Sequence, residues 1–200
     1  RDMQKKAVVV GALGVISRYI VEKLVAEGDW QVVGLSRRPE KNGPRYRHVS
    51  VDLLDLDDVA EKLKDLRDVT HVFYAAFQAG TGNAAGYAAV IAPNRDMLVN
   101  SVTAIAKASA KLQRVVLVTG TKYYGTHLGP LKTPMRETDP RHMPPDFYFD
   151  QIDWLTGQRD HVPDRIQLHL PGLQHGLLQA VGTPHQGPQA RGQFMQVHRL

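Results

Sequence analysis

The chain has no cysteine, which excludes a disulfide framework, a thiolate metal centre and a thiol nucleophile. It also lacks a long apolar run. The longest uncharged stretch near its start, Ala7 to Ser17, is too short to span a bilayer and has no secretory cleavage pattern. No membrane association is expected, and the setting expected is cytoplasmic. Lysine and glutamate are missing from the last 44 residues, which hold four Arg, two Asp, eight Gln, five His, six Gly and four Pro. Only Ile166 to Leu170 alternates there like a half-buried strand. The rest buries too little apolar surface to offset ordering costs of ~1–2 kcal/mol per residue. Residues 157–200 are therefore expected to form an irregular tail, cut short from or foreign to what precedes it. No internal repeat is visible.

What is present is ordinary for a globular chain: 200 residues, 42% hydrophobic and 22% charged, enough for one domain with an appendage. The net charge of +5 suits an anionic cofactor as well as it suits nucleic acid, and no nucleic-acid motif accompanies it. Residues 1–156 alternate between strands and helices. Lys6–Val10, Gln31–Leu35, Tyr46–Val51, Thr70–Ala75 and Arg114–Thr119 are apolar strand runs. Between them, Val15–Ala26 (closed by Gly28), Asp55–Leu66 and Asn94–Leu112 have helical spacing, and Asp146 caps a further short helix. Near-continuous apolar strands joined by helices imply an α/β fold, a doubly wound parallel sheet covered on both faces. Gly120 to Asp146, rich in Gly, Pro and Thr, reads as a long functional loop.

The first strand–helix turn is Gly11-Ala12-Leu13-Gly14-Val15-Ile16-Ser17. Glycine at 11 permits the tight turn, and glycine at 14 lets the N–H groups of Leu13, Val15 and Ile16 approach a pyrophosphate. The string is imperfect, because serine stands at 17. At the end of the second strand a ribose 2′-hydroxyl calls for Asp or Glu, whereas this chain has Ser36-Arg37-Arg38. Two guanidiniums suit a 2′-phosphate, so NADP/NADPH is the cofactor expected. Asp52-Leu53 offers either a carboxylate and an N–H to an adenine edge or a helix cap.

Tyr19 and Lys23 match a Tyr-x-x-x-Lys pattern, but they lie on the first helix, away from the place a nicotinamide would take, and are read as surface residues. Lys122, past the fifth strand in Thr119-Gly120-Thr121-Lys122-Tyr123-Tyr124, and Tyr148, 26 residues later, are better placed, because open α/β sheets hold ligands at strand C-termini.

From Ala7 to Leu155 the chain resembles the progesterone 5β-reductase and iridoid synthase family of atypical, extended short-chain dehydrogenases. The resemblance rests on the Gly11–Gly14 turn, Ser36-Arg37-Arg38, Asp52-Leu53, Val69 to Tyr74, Asn94 to Asn100, Thr119 to Tyr124 and Phe147-Tyr148. It implies a Rossmann fold, NADPH-dependent reduction of an enone C=C bond (or a carbonyl), and Lys122 and Tyr148 as catalytic residues. It further implies a cofactor lined by Ala75, Ala76, Phe77, Thr119 and Gly120. A small-molecule substrate follows, and a homodimer is compatible with it. Three positions depart from the family: Ser17 replaces a glycine, Phe149 a tyrosine and Tyr123 a histidine. The competing reading is an NADP(H)-binding protein, or truncated family member, without turnover.

Overall fold

The computed structural model describes residues 5–81, 84–130, 133 and 139–158, with backbone alone at 84 and at 167–169. The chain runs β1 (Lys5–Val10), α1 (Val15–Glu27), β2 (Trp30–Ser36), β3 (Tyr46–Ser50), α2 (Leu56–Leu63), β4 (His71–Tyr74) and α3 (Ala84–Ala88). It continues with α4 (Ile91–Ala108), β5 (Arg114–Leu117), a 3₁₀ turn (Thr121–Tyr124), α5 (Phe147–Gly157) and β6 (Gln167–His169). All neighbouring strands pair in parallel, in the order β3-β2-β1-β4-β5-β6. This is the order of a dinucleotide-binding Rossmann sheet, in which the direction of winding reverses between β1 and β4. Among the described residues, no helix is long and apolar enough to cross a membrane.

Strand β1 lies at the centre, with Val8 in register between Val33 of β2 and Val72 of β4. Alternate β1 residues feed opposite faces of the sheet. Ala7 and Val9 pack with Ile20 and Leu24 of α1, Trp30, Phe73 and Val116. Val8 and Val10 pack on the other face with Leu63, Leu98, Ile105, Ile152 and Leu155 from α2, α4 and α5. Helices cover both faces, so the β-branched strands meet apolar partners on either side.

Several boundaries shift from the sequence expectation for local reasons. Helix α4 starts at Ile91 instead of Asn94, since Pro93 sits in the first turn, where its missing N–H costs nothing. It ends at Ala108 because Ser109 is extended and its hydroxyl donates to the Val69 carbonyl (2.9 Å). Helix α2 stops at Leu63, three residues short of Leu66. The short α3 had no sequence signal. Of the tail, only Gly157, Gln158 and the β6 backbone lie within the described residues; β6 pairs with β5 through Arg114–Gln167, Val115–Leu168 and Val116–His169.

Ser17 lies on the buried side of α1, 1% exposed, and its hydroxyl has no hydrogen-bond partner. An unpaired buried hydroxyl costs about 1–3 kcal/mol, and alanine is the better helix former. Ser17→Ala should therefore raise unfolding stability by about 1–2 kcal/mol in urea; unchanged or lower stability would show that the hydroxyl is satisfied in solution.

Candidate active site

The turn after β1 is set by glycine. Gly11 has φ +81°, and a Cβ there would stand 2.7 Å from the Ala76 Cα and 2.8 Å from its nitrogen. The turn thus presses against the chain leaving β4, with no room for a side chain. The Gly11 and Ala12 N–H groups both donate to the Leu35 carbonyl (2.9 and 3.0 Å), and the Gly14 N–H donates to that of Gly11 (2.8 Å). Gly14 caps α1 without a side-chain hydrogen bond, and the first turn carries no acidic residue. The opening N–H groups of a helix have no acceptor within it. Here they emerge beside Val15 and Ile16, 79% and 38% exposed, with Leu13 half-buried before them. Open N–H groups at the positive end of a helix dipole suit a pyrophosphate.

At the end of β2 two serines shape the next turn. Ser36 Oγ donates to the Arg38 carbonyl (2.8 Å) and Ser50 Oγ to that of Arg37 (2.7 Å). Serine hydroxyls bonded to main-chain carbonyls hold the turn, so the guanidiniums are not needed for it. Both arginines are exposed, and among the described residues neither forms an ion pair. Asp52 is not the cap of α2. That part falls to Asp55, which accepts from the Asp57 and Asp58 N–H groups (3.0 and 3.1 Å). Asp52 stays exposed, one carboxylate oxygen accepting the Leu54 N–H (3.0 Å), while the carbonyl of buried Leu53 is held by Asn100 Nδ2 (2.8 Å).

Across the crevice, Ala75, Ala76 and Phe77 leave β4. They are steadied by Asn94, a residue that sequence reasoning placed only in a matching helix start. Asn94 is wholly buried; its side chain accepts the Gln78 N–H (2.8 Å) and donates to the Gln78 and Val90 carbonyls (2.9 and 2.7 Å). Phe77, half exposed, stacks on Phe147 with ring centres 5.3 Å apart.

Beyond β5, buried Thr119 and half-buried Gly120 lead into the 3₁₀ turn carrying Lys122, and Tyr148 projects from the first turn of α5. A Cβ on Gly120 would come within 3.0 Å of the Tyr148 hydroxyl, so glycine here makes room for the phenol. Asp146 caps α5: its Oδ1 accepts the Tyr148 N–H (2.8 Å) and its Oδ2 accepts the Tyr87 hydroxyl (3.0 Å). Burial pushes the Tyr148 phenol up to about 12, the Asp146 charge adds to that, and a hydrogen bond from the Gly120 backbone opposes it. The phenol is consequently a neutral donor near pH 7. Lys122 Nζ lies over the faces of Phe77 (5.4 Å) and Tyr87 (5.3 Å). Tyr87, on the unanticipated α3, is a second phenol that no sequence pattern singled out. Tyr123 and Phe149, two of the departures from the family pattern, meet edge to face at 5.4 Å. Tyr19 is 71% exposed on α1 and Lys23 pairs with Glu27 (3.2 Å), away from these groups.

Residues 7–146 match the model of the NAD dependent epimerase/dehydratase family. The chain is 35% identical over 165 residues to the short chain dehydrogenase gsfE of Penicillium aethiopicum, covering 77% of this chain and 43% of that one. It is 31% identical over 201 residues to the (S)-8-oxocitronellyl enol synthase ISY1 of Nepeta cataria (92% and 51%). It is 29% identical over 204 residues to the 3-oxo-Delta(4,5)-steroid 5-beta-reductase of Arabidopsis thaliana (92% and 51%). The chain therefore spans about half the length of the curated relatives it matches. Among solved structures, the UDP-glucose 4-epimerase of Bifidobacterium longum, in complex with NAD+ and UDP, superposes with a TM-score of 0.65 at 16% identity. That likeness covers 82% of this chain and 52% of the other and extends to the fold. The resemblance to 5β-reductases and iridoid synthases is borne out by these relatives.

The neutral Tyr148 phenol stabilises the folded chain, fully so below its ordinary value of about 10. The contribution is lost as pH rises through about 12. An ultraviolet difference titration of the parent against Tyr148→Phe should place the missing phenol near 12; ionisation near 10 would mean that the hydroxyl is solvated.

Proposed function

Because this chain belongs to the NAD dependent epimerase/dehydratase family, we propose that it is an NADPH-dependent reductase of the C=C bond of a small enone. The observation that carries this reading is the partly buried Tyr148 hydroxyl against Gly120, at the C-terminal edge of β5. Strand C-termini of such sheets are where substrates and cofactors meet. Two relatives are named as a 3-oxo-Delta(4,5)-steroid 5-beta-reductase and an (S)-8-oxocitronellyl enol synthase. In this reading residues 1–156 form the cofactor-binding unit.

The residues present fit a phosphorylated dinucleotide. The Gly11 turn and open α1 terminus receive the pyrophosphate, and Arg37 and Arg38 hold a 2′-phosphate from a turn that does not need their charge. Ala75, Ala76, Phe77, Thr119 and Gly120 line the way from there to Tyr148. When bound, NADPH would supply a hydride to the enone β-carbon, and a proton taken from solvent at the α-carbon would complete the reduction. Tyr148 donates its hydrogen bond to the carbonyl oxygen, where negative charge gathers as the C=C electrons shift. Its neutral state at pH 7 is what this role requires. Lys122, held over the Phe77 and Tyr87 rings, sets a positive charge at the mouth of the same crevice. Phe77 and Phe147 supply an apolar wall.

Binding of NADP(H) without turnover is the second reading. It is favoured by the resting place of Lys122 on ring faces instead of on the phenol. Mixing the chain with NADPH and a small cyclic or acyclic enone, and following loss of NADPH absorbance, separates the two. Turnover supports the reductase; tight binding with no absorbance loss supports the alternative.

Replacing Arg37 and Arg38 together by Ala should weaken NADPH binding about 10–100-fold and leave NADH nearly unchanged, as befits lost charge-assisted bonds. Equal losses for both would remove the 2′-phosphate assignment. Tyr148→Phe should lower the turnover rate by about 10²–10³-fold with NADPH affinity retained, while Tyr19→Phe changes neither. Full activity in the Tyr148 variant would move the chemistry to another donor.

A further inference from the structure

Three side chains of the loop between the Lys122 turn and α5 gather together: His127, His142 and Asp146, the last two four residues apart. A ligand-type atom of each lies within 4.8 Å of the others. His142 Nε2 is 3.2 Å from Asp146 Oδ2 and 3.0 Å from the Lys122 carbonyl oxygen. Ligands held ~2.0–2.2 Å from one ion sit roughly 3.0–3.5 Å apart in octahedral to tetrahedral shells. The separations around His142 Nε2 fall within that span. The His127 ring stands edge to face with His142, centres 5.4 Å apart, and is exposed, so the cluster is reached from solvent.

The surroundings are those of a ligand set. His142 Nδ1 faces the Met143 carbonyl at 2.7 Å. With that nitrogen donating, Nε2 is left facing two oxygens, a gap that either a proton or a metal ion between them fills. An N–H···O=C anchor on the far ring nitrogen is the usual way a metal-bound histidine is oriented. The ring is seated on Gly125, in the left-handed region at φ +83°; a Cβ there would meet His142 Cγ at 3.2 Å. Asp146 has a fully buried side chain, and among the described residues no Lys or Arg pairs with it. The Tyr148 N–H and Tyr87 O–H orient its carboxylate as outer partners do.

We propose that His127, His142 and Asp146, with the Lys122 carbonyl oxygen, bind a divalent transition-metal ion of the zinc type. A proton on His142 Nε2 would account for the His142–Asp146 pair, and the Tyr87 ring packs on His127 at 4.9 Å, but neither explains why a ligand atom of His127 lies within 4.8 Å of both. Two imidazoles and a carboxylate are a donor set that suits zinc. The ion joins the Lys122 turn to the cap of α5, and so fixes the two elements that carry Lys122 and Tyr148. The site does not depend on the reductase reading, since its proposed ligand atoms all belong to the protein.

The test uses the chain stripped of metal with a chelator and titrated with Zn²⁺ by calorimetry, then with Co²⁺ by visible absorption. The chain holds nine histidines, so weak binding elsewhere must be told apart. The expected result is one ion per chain, a rise in Tm on metal addition, and at least a tenfold loss of affinity in His127→Ala. His127 is exposed, which keeps that variant folded; circular dichroism checks this. His48→Ala, on β3, should bind as the parent does. Absence of a stoichiometric site, or binding unchanged in both His127→Ala and His142→Ala, would overturn the proposal as adventitious histidine binding.

Discussion

The candidate site depends on one buried carboxylate. Asp146 has to leave water to cap α5, and a buried charge is tolerated only where hydrogen bonds and a counter-charge replace its hydration. Its partners come from three places: the Tyr148 N–H of its own helix, the Tyr87 hydroxyl of α3, and His142 of the preceding loop. Satisfying one acid therefore helps tie together α3, the loop before α5 and α5 itself, beside the ring contacts of Tyr87 with Phe147 and of His142 with Phe149. The same charge sets the protonation of the site. It disfavours a second anion beside it, and so adds to the burial that keeps the Tyr148 phenol neutral.

The sheet supplies the rigid side of this arrangement. Strand order β3-β2-β1-β4 puts the ends of β1 and β4 side by side at the reversal of winding, and Gly11 lets the two chains approach until no Cβ fits. Asn94 then holds the strand-exit loop through two hydrogen bonds to the Gln78 backbone, so Ala75 to Phe77 face the crevice on a fixed backbone. Parallel strands buried on both faces cannot slide without exposing apolar side chains, and chemistry is left to the loops at their ends.

Departures from the family pattern fall into two kinds. Tyr123 and Phe149 change together in space, an edge-to-face pair beside His142, whose ring also meets Phe149 at 4.8 Å. One aromatic contact thus absorbs both. Ser17 is not absorbed in this way: its hydroxyl is buried without a partner on α1, just below the turn that Gly14 begins.

Much of this was legible in the residues. Apolar strand runs, helical spacing between them, the Gly11 turn and Gly28 stop set the α/β class and most elements to within a few positions, because period and turn chemistry are local. The Asp146 cap was readable for the same reason, with its carboxylate two residues from the N–H it accepts. Arg37 and Arg38 could be singled out from their place after β2, whereas Lys122 and Tyr148 needed the family resemblance, since no spacing rule links residues 26 apart. Strand order, the Asn94 clamp, the α3 phenol and the meeting of His127, His142 and Asp146 came only with tertiary structure. Those contacts depend on how loops fold onto one another, and a chain encodes that through the burial of the whole, not through any local pattern.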